Sequence, residues 1–296
     1  MAERQTEQSG RYLGLDTWSD ERILDALVQG QERAIAAVRA AAPAISEAAT
    51  ILAHRLAAGG RLAYAGAGTS IRVAVQDGSE LPATFGMPEA NILYLIAGGR
   101  AAMFDTLADA EDDEADGAAQ AEVLTAADTL VTVAASGSTP FTIAAARRAR
   151  ERGAVVIAIV NNPESRLAAA ADLEILLASG PEVIAGSTRL AAGTAQKVAL
   201  NLLSTLTHIK LGAVHDGFMV NVETGNAKLR QRAAGIVAAI ARVDEPRAQA
   251  ALGEAGGQVK HAILLCAGAK DIAAAQRLLI AANGNLRLAM ARLGDT

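Results

Sequence analysis

Residues 64–80 read YAGAGTSIRVAVQDGSE. An apolar run ends at Gly66, a glycine–hydroxyl corner follows through Ser70, and helical spacing leads on to a carboxylate at Glu80. The corner admits three readings: a dinucleotide fingerprint, a cradle for some other phosphate, or a plain strand–helix turn. The first fails. The third glycine of G-x-G-x-x-G is replaced by Ile71, and the next apolar run ends IAGG (96–99), with no acidic residue to take a ribose hydroxyl. No GxxxxGK[ST] occurs anywhere, which disfavours a nucleoside triphosphate loop. The other two readings stay open.

Working outward, LAYA (62–65), NILYLIA (91–97), TLVTVAA (129–135), VVIAIVN (155–161) and LEILLA (173–178) read as strands. Each is short and almost wholly apolar, as strands buried on both faces are, and helical patterns separate them. The expected fold class is α/β: a three-layer α/β/α domain on a parallel sheet of about five strands. Ligands of such sheets bind beyond the carboxyl ends of the strands, so the polar residues just after each strand carry the chemistry. Ahead of the sheet, helices fill 20–58, with Ser19 as N-cap, a break near Pro43 and a stop at Gly59-Gly60. After Gly180 the pattern reads as helical to about residue 242. Asp244-Glu245-Pro246 then reads as a linker, which gives domains at 1–243 and 244–296. In the second, LGEAGGQVKHAI (252–263) and LIAANGNLRLAM (279–290) share the pattern L-x-x-A-x-G-x-[V/L]-[K/R]-x-A-[I/M]. Two helix–turn–helix corners fit it, making a small all-helical domain for packing or oligomerisation.

Composition agrees with a large core: 296 residues, 51% hydrophobic, much of it alanine, and only 3% aromatic. Net charge is −5 with no basic tract, which speaks against nucleic acid as a partner. Cys266 is the single cysteine, and His54, His208, His215 and His261 are scattered without metal-ligand spacing. The polar start MAERQTEQSG has no apolar signal core, and the charge-free run Thr129 to Ala146 is broken by Ser136, Gly137 and Pro140. A soluble, cytoplasmic protein is expected.

Three loops are rich in glycine and hydroxyls: GAGTS (66–70), SGSTP (136–140) and GPEVIAGSTR (180–189). Backbone N–H groups at a helix start, with Ser/Thr hydroxyls beside them, hold phosphate oxygens without a lysine. Two carboxylates stand out downstream of such loops. Glu80 reads either as a turn carboxylate before Pro82 or as a general acid/base. Glu111, in LADAEDDEADG (107–117), reads either as part of a solvated acidic helix start or as its counterpart.

Taken together, GGRLAYAGAGTS (59–70), DGSELPATF (77–85), AED (110–112), AASGSTPF (134–141), GPEVIAGSTR (180–189), AGTAQKVALNLLST (192–205), NAKLRQRA (226–233) and TEQ near the N-terminus resemble the N-acetylmuramic acid 6-phosphate etherases, a family of the sugar-isomerase (SIS) superfamily. The resemblance implies cleavage of the lactyl ether of N-acetylmuramic acid 6-phosphate by elimination and rehydration, with no metal or redox cofactor. It implies Glu111 as the base at C2 and Glu80 as the acid that protonates the leaving lactate. It implies phosphate or substrate contacts at Gly68, Thr69, Ser70, Ser136, Ser138, Thr139, Glu182, Ser187, Thr188, Arg189 and Lys197, and a homodimer. Four departures stand against the family pattern: Ile71 where glycine is usual, Ala191 where lysine is common, the run 214–221, and Gly225 where threonine is usual. The first two leave a non-enzymatic phosphosugar regulator as the alternative.

Overall fold

The structure, a computed structural model, describes residues 5–8, 12–105 and 108–294. Five parallel strands form one sheet: β1 (Leu62–Gly66), β2 (Ile92–Ile96), β3 (Thr129–Ala134), β4 (Val155–Val160) and β5 (Leu173–Leu176), in the order β2-β1-β3-β4-β5. Every residue of β1 and β3 is buried, as their almost wholly apolar composition favours. The chain leaves β1 for β2 on one side and then crosses back to β3 on the other, so the loops after β1 and β3 flank a topological switch point.

Two N-terminal helices precede the sheet, α1 (Asp20–Ala40) and α2 (Ala42–Ala57), and Ser19 accepts the Arg22 N–H as N-cap. They part at Ala41. Pro43 falls in the first turn of α2, where its missing N–H has no helical partner to lose. The helices between strands are α3 (Gly68–Phe85), α4 (Glu114–Ala121), α5 (Pro140–Glu151) and α6 (Arg166–Ala169). Glu80 lies inside α3, which runs on through Pro82, and is not a turn residue after it.

The helical run expected from 180 to 242 is corrected. α7 (Ala191–Lys210) and α8 (Ala227–Ala241) are separated by a small antiparallel hairpin, β6 (Val214–His215) and β7 (Phe218–Met219). Asp216 and Gly217 both take positive φ there, 48° and 81°. An Asp-Gly pair is the sequence signal for such a turn. Beyond it, α9 (Glu245–Glu254) and α10 (Val259–Cys266) form one corner, and α11 (Ile272–Ala281) and α12 (Leu286–Gly294) the other. The repeat is structural: Val259 and Leu286 stand at the same pattern position and both are buried. The cation of the first corner, Lys260, donates to the Gly284 carbonyl in the turn of the second at 2.7 Å. Burial brings this ammonium down to about 8.

By internal contacts the chain divides into two compact units, Met1–Gly78 with Ala90–Ser204, and Ser79–Glu89 with Thr205–Thr296. The first has its core around Leu130, Ile143, Val156, Val160 and Leu167. The second has its core around Ile236, Val237, Leu252, Ile263 and Leu264. Among the described residues no single helix is long and apolar enough to cross a membrane.

Asp128, at the start of β3, ties that strand to its neighbours. It accepts from Arg61 N–H at 2.9 Å, Arg61 Nη2 at 2.7 Å and Thr125 N–H at 2.9 Å. Burial pushes its carboxyl up, but these donors outweigh burial and hold it at about 2. A depressed carboxylate adds stability above its ordinary value near 3.8 and loses it as pH falls through about 2. The contribution is about 2 kcal/mol at neutral pH. Asp128→Asn is therefore expected to lower stability by at least that amount at pH 7 and to flatten the acid limb between about pH 4 and 2. Urea titrations at a series of pH values measure both; an unchanged acid limb contradicts the assignment.

Candidate active site

The carboxyl ends of β1 and β3 open on a cavity of about 480 Å³. Gly68, Thr69 and Ser70 line it from the first loop, Ser136, Ser138 and Thr139 from the second, and Gly186 and Thr188 from the third. Two helices begin at its wall, α3 at Gly68 and α5 at Pro140. Thr139 is the N-cap residue of α5, yet its side chain makes no capping bond, so its hydroxyl is not spent on the helix. Ser138 donates from both N–H and Oγ to Ser136 Oγ, at 3.2 and 3.0 Å, which folds the second loop back on itself. Gly137 makes that fold: its φ is +64°, and a Cβ there would stand 2.3 Å from Ser165 Cβ. Among the described residues, no lysine or arginine lines the cavity. What these residues offer an anion is first-turn N–H groups, hydroxyls and two helix dipoles.

Glu111 belongs to this cavity. It lies in the 3₁₀ turn Ala108–Asp112, with its Oε1 only 3.1 Å from where a Cβ on Gly68 would stand. Local chemistry fixes that turn from behind. Asp113 caps α4 by accepting the Asp116 N–H at 2.9 Å. Gln120 on α4 then bonds both backbone groups of Ile96, at 2.9 and 3.0 Å, and so closes the end of β2. Gly117 lets α4 lie directly on the backbone of α5. Two further carboxylates line the cavity, Asp112 and Glu7. Sequence reasoning missed both; for Glu7 the only signal was its place in the TEQ match.

Other expected site residues lie elsewhere. Glu182 is 1% exposed, and its two oxygens accept the Ala191 and Ala192 N–H groups, each at 2.9 Å. It caps α7. Burial pushes its carboxyl up from the ordinary value, against the pull of those two donors. Ser187 and Arg189 are in the third loop but not among the cavity-lining residues, and Arg189 is exposed. Lys197 is an exposed residue of α7 whose ammonium bonds Asn201. Asn201 in turn donates to buried Asp77 at 2.6 Å, as do Ser204 and Tyr64, each at 3.0 Å. Burial and the neighbouring Asp77 charge hold the Tyr64 hydroxyl well above its usual value, so it stays a donor. Glu80 falls in the second compact unit, whereas the cavity and Glu111 are in the first.

Two of the departures from the family pattern sit on packing positions. Ile71 is 1% exposed and is a residue of α3, its N–H bonded to the Ala67 carbonyl; its φ is not positive. Ala191 is equally buried at the start of α7. Neither lines the cavity.

The sheet, its switch-point loops and the hydroxyl-lined cavity define a class, the SIS-domain proteins. The SIS domain model matches residues 103–207, and the model for the glucokinase regulatory protein N-terminal SIS domain matches 44–149. A phosphoheptose isomerase from Francisella tularensis shares the fold at a TM-score of 0.52 and 21% identity, over 65% of this chain and 98% of that one. Whole-chain relatives are narrower. The chain is 45% identical to an N-acetylmuramic acid 6-phosphate etherase of Deinococcus radiodurans over 93% of its length and 92% of the relative's. It is 46% identical to the corresponding protein of Streptomyces avermitilis over 90% and 86%. The protein belongs to the N-acetylmuramic acid 6-phosphate etherase family.

Proposed function

We propose that the protein is a carbon–oxygen lyase that releases D-lactate from N-acetylmuramic acid 6-phosphate and leaves N-acetylglucosamine 6-phosphate. The observation that carries this reading is the meeting of three hydroxyl loops, two helix starts and Glu111 at one cavity. The loops take the phosphate. Glu111, beside Gly68, takes the C2 proton, which the C1 aldehyde of the open-chain sugar makes acidic. The C–H electron pair becomes the C2–C3 double bond, the C3–O bond breaks, and Glu80 gives its proton to the departing lactate oxygen. Water then adds to the unsaturated aldehyde: its hydroxyl bonds to C3, its second proton returns through a carboxylate, and C2 is reprotonated. Atoms and charge balance without any redox step.

The family resemblance further supports a homodimer whose two chains complete each site. Thr69, Ser70, Ser138, Thr139 and Thr188 are the phosphate contacts in this reading. Glu182 and Lys197 act through the placement of α7. The buried, off-cavity positions of Ile71 and Ala191 take away the main motive for a non-catalytic regulator. The test is direct: incubation with N-acetylmuramic acid 6-phosphate and an enzymatic assay for D-lactate. Absence of lactate under conditions where the sugar phosphate binds refutes the lyase.

The second loop gives a separate expectation. Gly137→Ala puts a β-carbon into Ser165 at a backbone angle that disfavours side chains, at a cost of about 2–4 kcal/mol. Calorimetry should show inorganic phosphate binding weakened about tenfold or more. Unchanged phosphate affinity would move the anion site off this loop.

A further inference from the structure

The cavity contains a carboxylate that the reaction above does not use. The 3₁₀ turn Gln5–Glu7 is anchored by Thr6, which is fully buried. Thr6 N–H donates to Asn162 Oδ1 at 3.4 Å, its Oγ1 accepts from Asn162 Nδ2 at 3.1 Å, and its carbonyl accepts from the Gly186 N–H at 3.0 Å. Asn162 also donates to the Ala135 carbonyl at 2.8 Å. One threonine thus fastens the N-terminal segment to the end of β3, the residues after β4, and the third loop together. The residue next to that anchor is Glu7, and it lines the same cavity as Ser70, Ser138, Thr139 and Glu111.

A carboxylate is a poor neighbour for a phosphate, since like charges repel in a half-enclosed cavity. It is a good neighbour for hydroxyl and amide N–H groups, because an ionised carboxylate only accepts hydrogen bonds. The two needs are reconciled by a ligand that is anionic at one end and rich in donors at the other. We infer that Glu7 is a specificity-determining residue that accepts hydrogen bonds from the hydroxyl or amide groups of the sugar while the hydroxyl loops hold its phosphate. The inference rests on the phosphosugar reading above and adds to it the group that tells a sugar phosphate from phosphate alone.

The experiment is calorimetric titration of wild type, Glu7→Gln and Glu7→Ala with two probes, N-acetylglucosamine 6-phosphate and inorganic phosphate. In both variants the sugar phosphate should bind about tenfold or more weakly, with the alanine variant weaker than the glutamine one. Inorganic phosphate should bind as well as to wild type or a few-fold tighter, which also reports that the variants are folded. Unchanged sugar-phosphate affinity overturns the inference. So does a parallel loss for both probes, which would make Glu7 a structural residue. If wild type binds inorganic phosphate but not the sugar phosphate, the phosphosugar reading itself fails, an outcome distinct from the other two.

Discussion

Glu111→Gln is expected to cut the turnover number for lactate release by about a thousandfold or more, with little change in KM. Glutamine keeps the shape of the side chain and its fit beside Gly68 but cannot accept the C2 proton, and a positioned general base supplies about 10²–10⁴ in rate. The hydroxyl loops proposed to hold the phosphate are untouched, so ground-state binding should survive. Glu80→Gln should be similarly impaired, because an alkoxide is a poor leaving group without a proton. Steady-state kinetics with a coupled lactate assay reads both. Undiminished turnover in either variant removes that residue from the mechanism. Mixing the two inactive variants separates two arrangements of the proposed dimer. Activity returns if the two carboxylates of one site come from different chains, and does not if both come from the same chain.

Gly117→Ala is expected to be the most damaging of the single-methyl changes in the cavity's support. A methyl there would stand 2.2 Å from the Phe141 carbonyl oxygen and 3.0 Å from its carbon. Backbone cannot rotate out of the way as a side chain can, so α4 has to lift off α5. The loss should be about 3 kcal/mol or more, at the upper end of overpacking effects. Lactate release should fall as well, because the turn carrying Glu111 precedes α4 and the second hydroxyl loop precedes α5. Gly235→Ala in α8 is the control. It is an exposed helical glycine with open space around it, and alanine there should add about 0.5–1 kcal/mol. Chemical denaturation of the two variants beside wild type decides the matter. Equal stability of all three would mean that α4 and α5 do not approach as described.

Much of the fold was legible because its signals are local. Five short, mostly apolar runs became the five strands within two residues at either end. Ser19, Pro43 and Gly59-Gly60 punctuate the first helices because caps and breakers act over one turn. The hairpin at 214–219 was missed although Asp216-Gly217 announced it. Two residues per strand are too few to show alternation against a helical background. Glu80 was read as ending its helix because Pro82 is a breaker. In the structure α3 continues to Phe85, and proline removes only the N–H that would have bonded to Gly78.

What the sequence determined by itself was the parallel sheet and the hydroxyl-rich corners after β1 and β3. These follow from periodicity and turn chemistry, which depend on neighbours a few residues away. Tertiary structure alone decided which polar groups share a cavity. It set Glu111 against Gly68, 43 positions earlier in the sequence, and brought Glu7 to the same cavity through the bonds of Thr6 to Asn162 and Gly186. It also gave Glu182 to the start of α7 and buried Ile71 in α3, outside the cavity lining. Side-chain direction is fixed by packing between elements distant in sequence, and no local pattern encodes which face of a helix start will turn toward a neighbour's carboxylate.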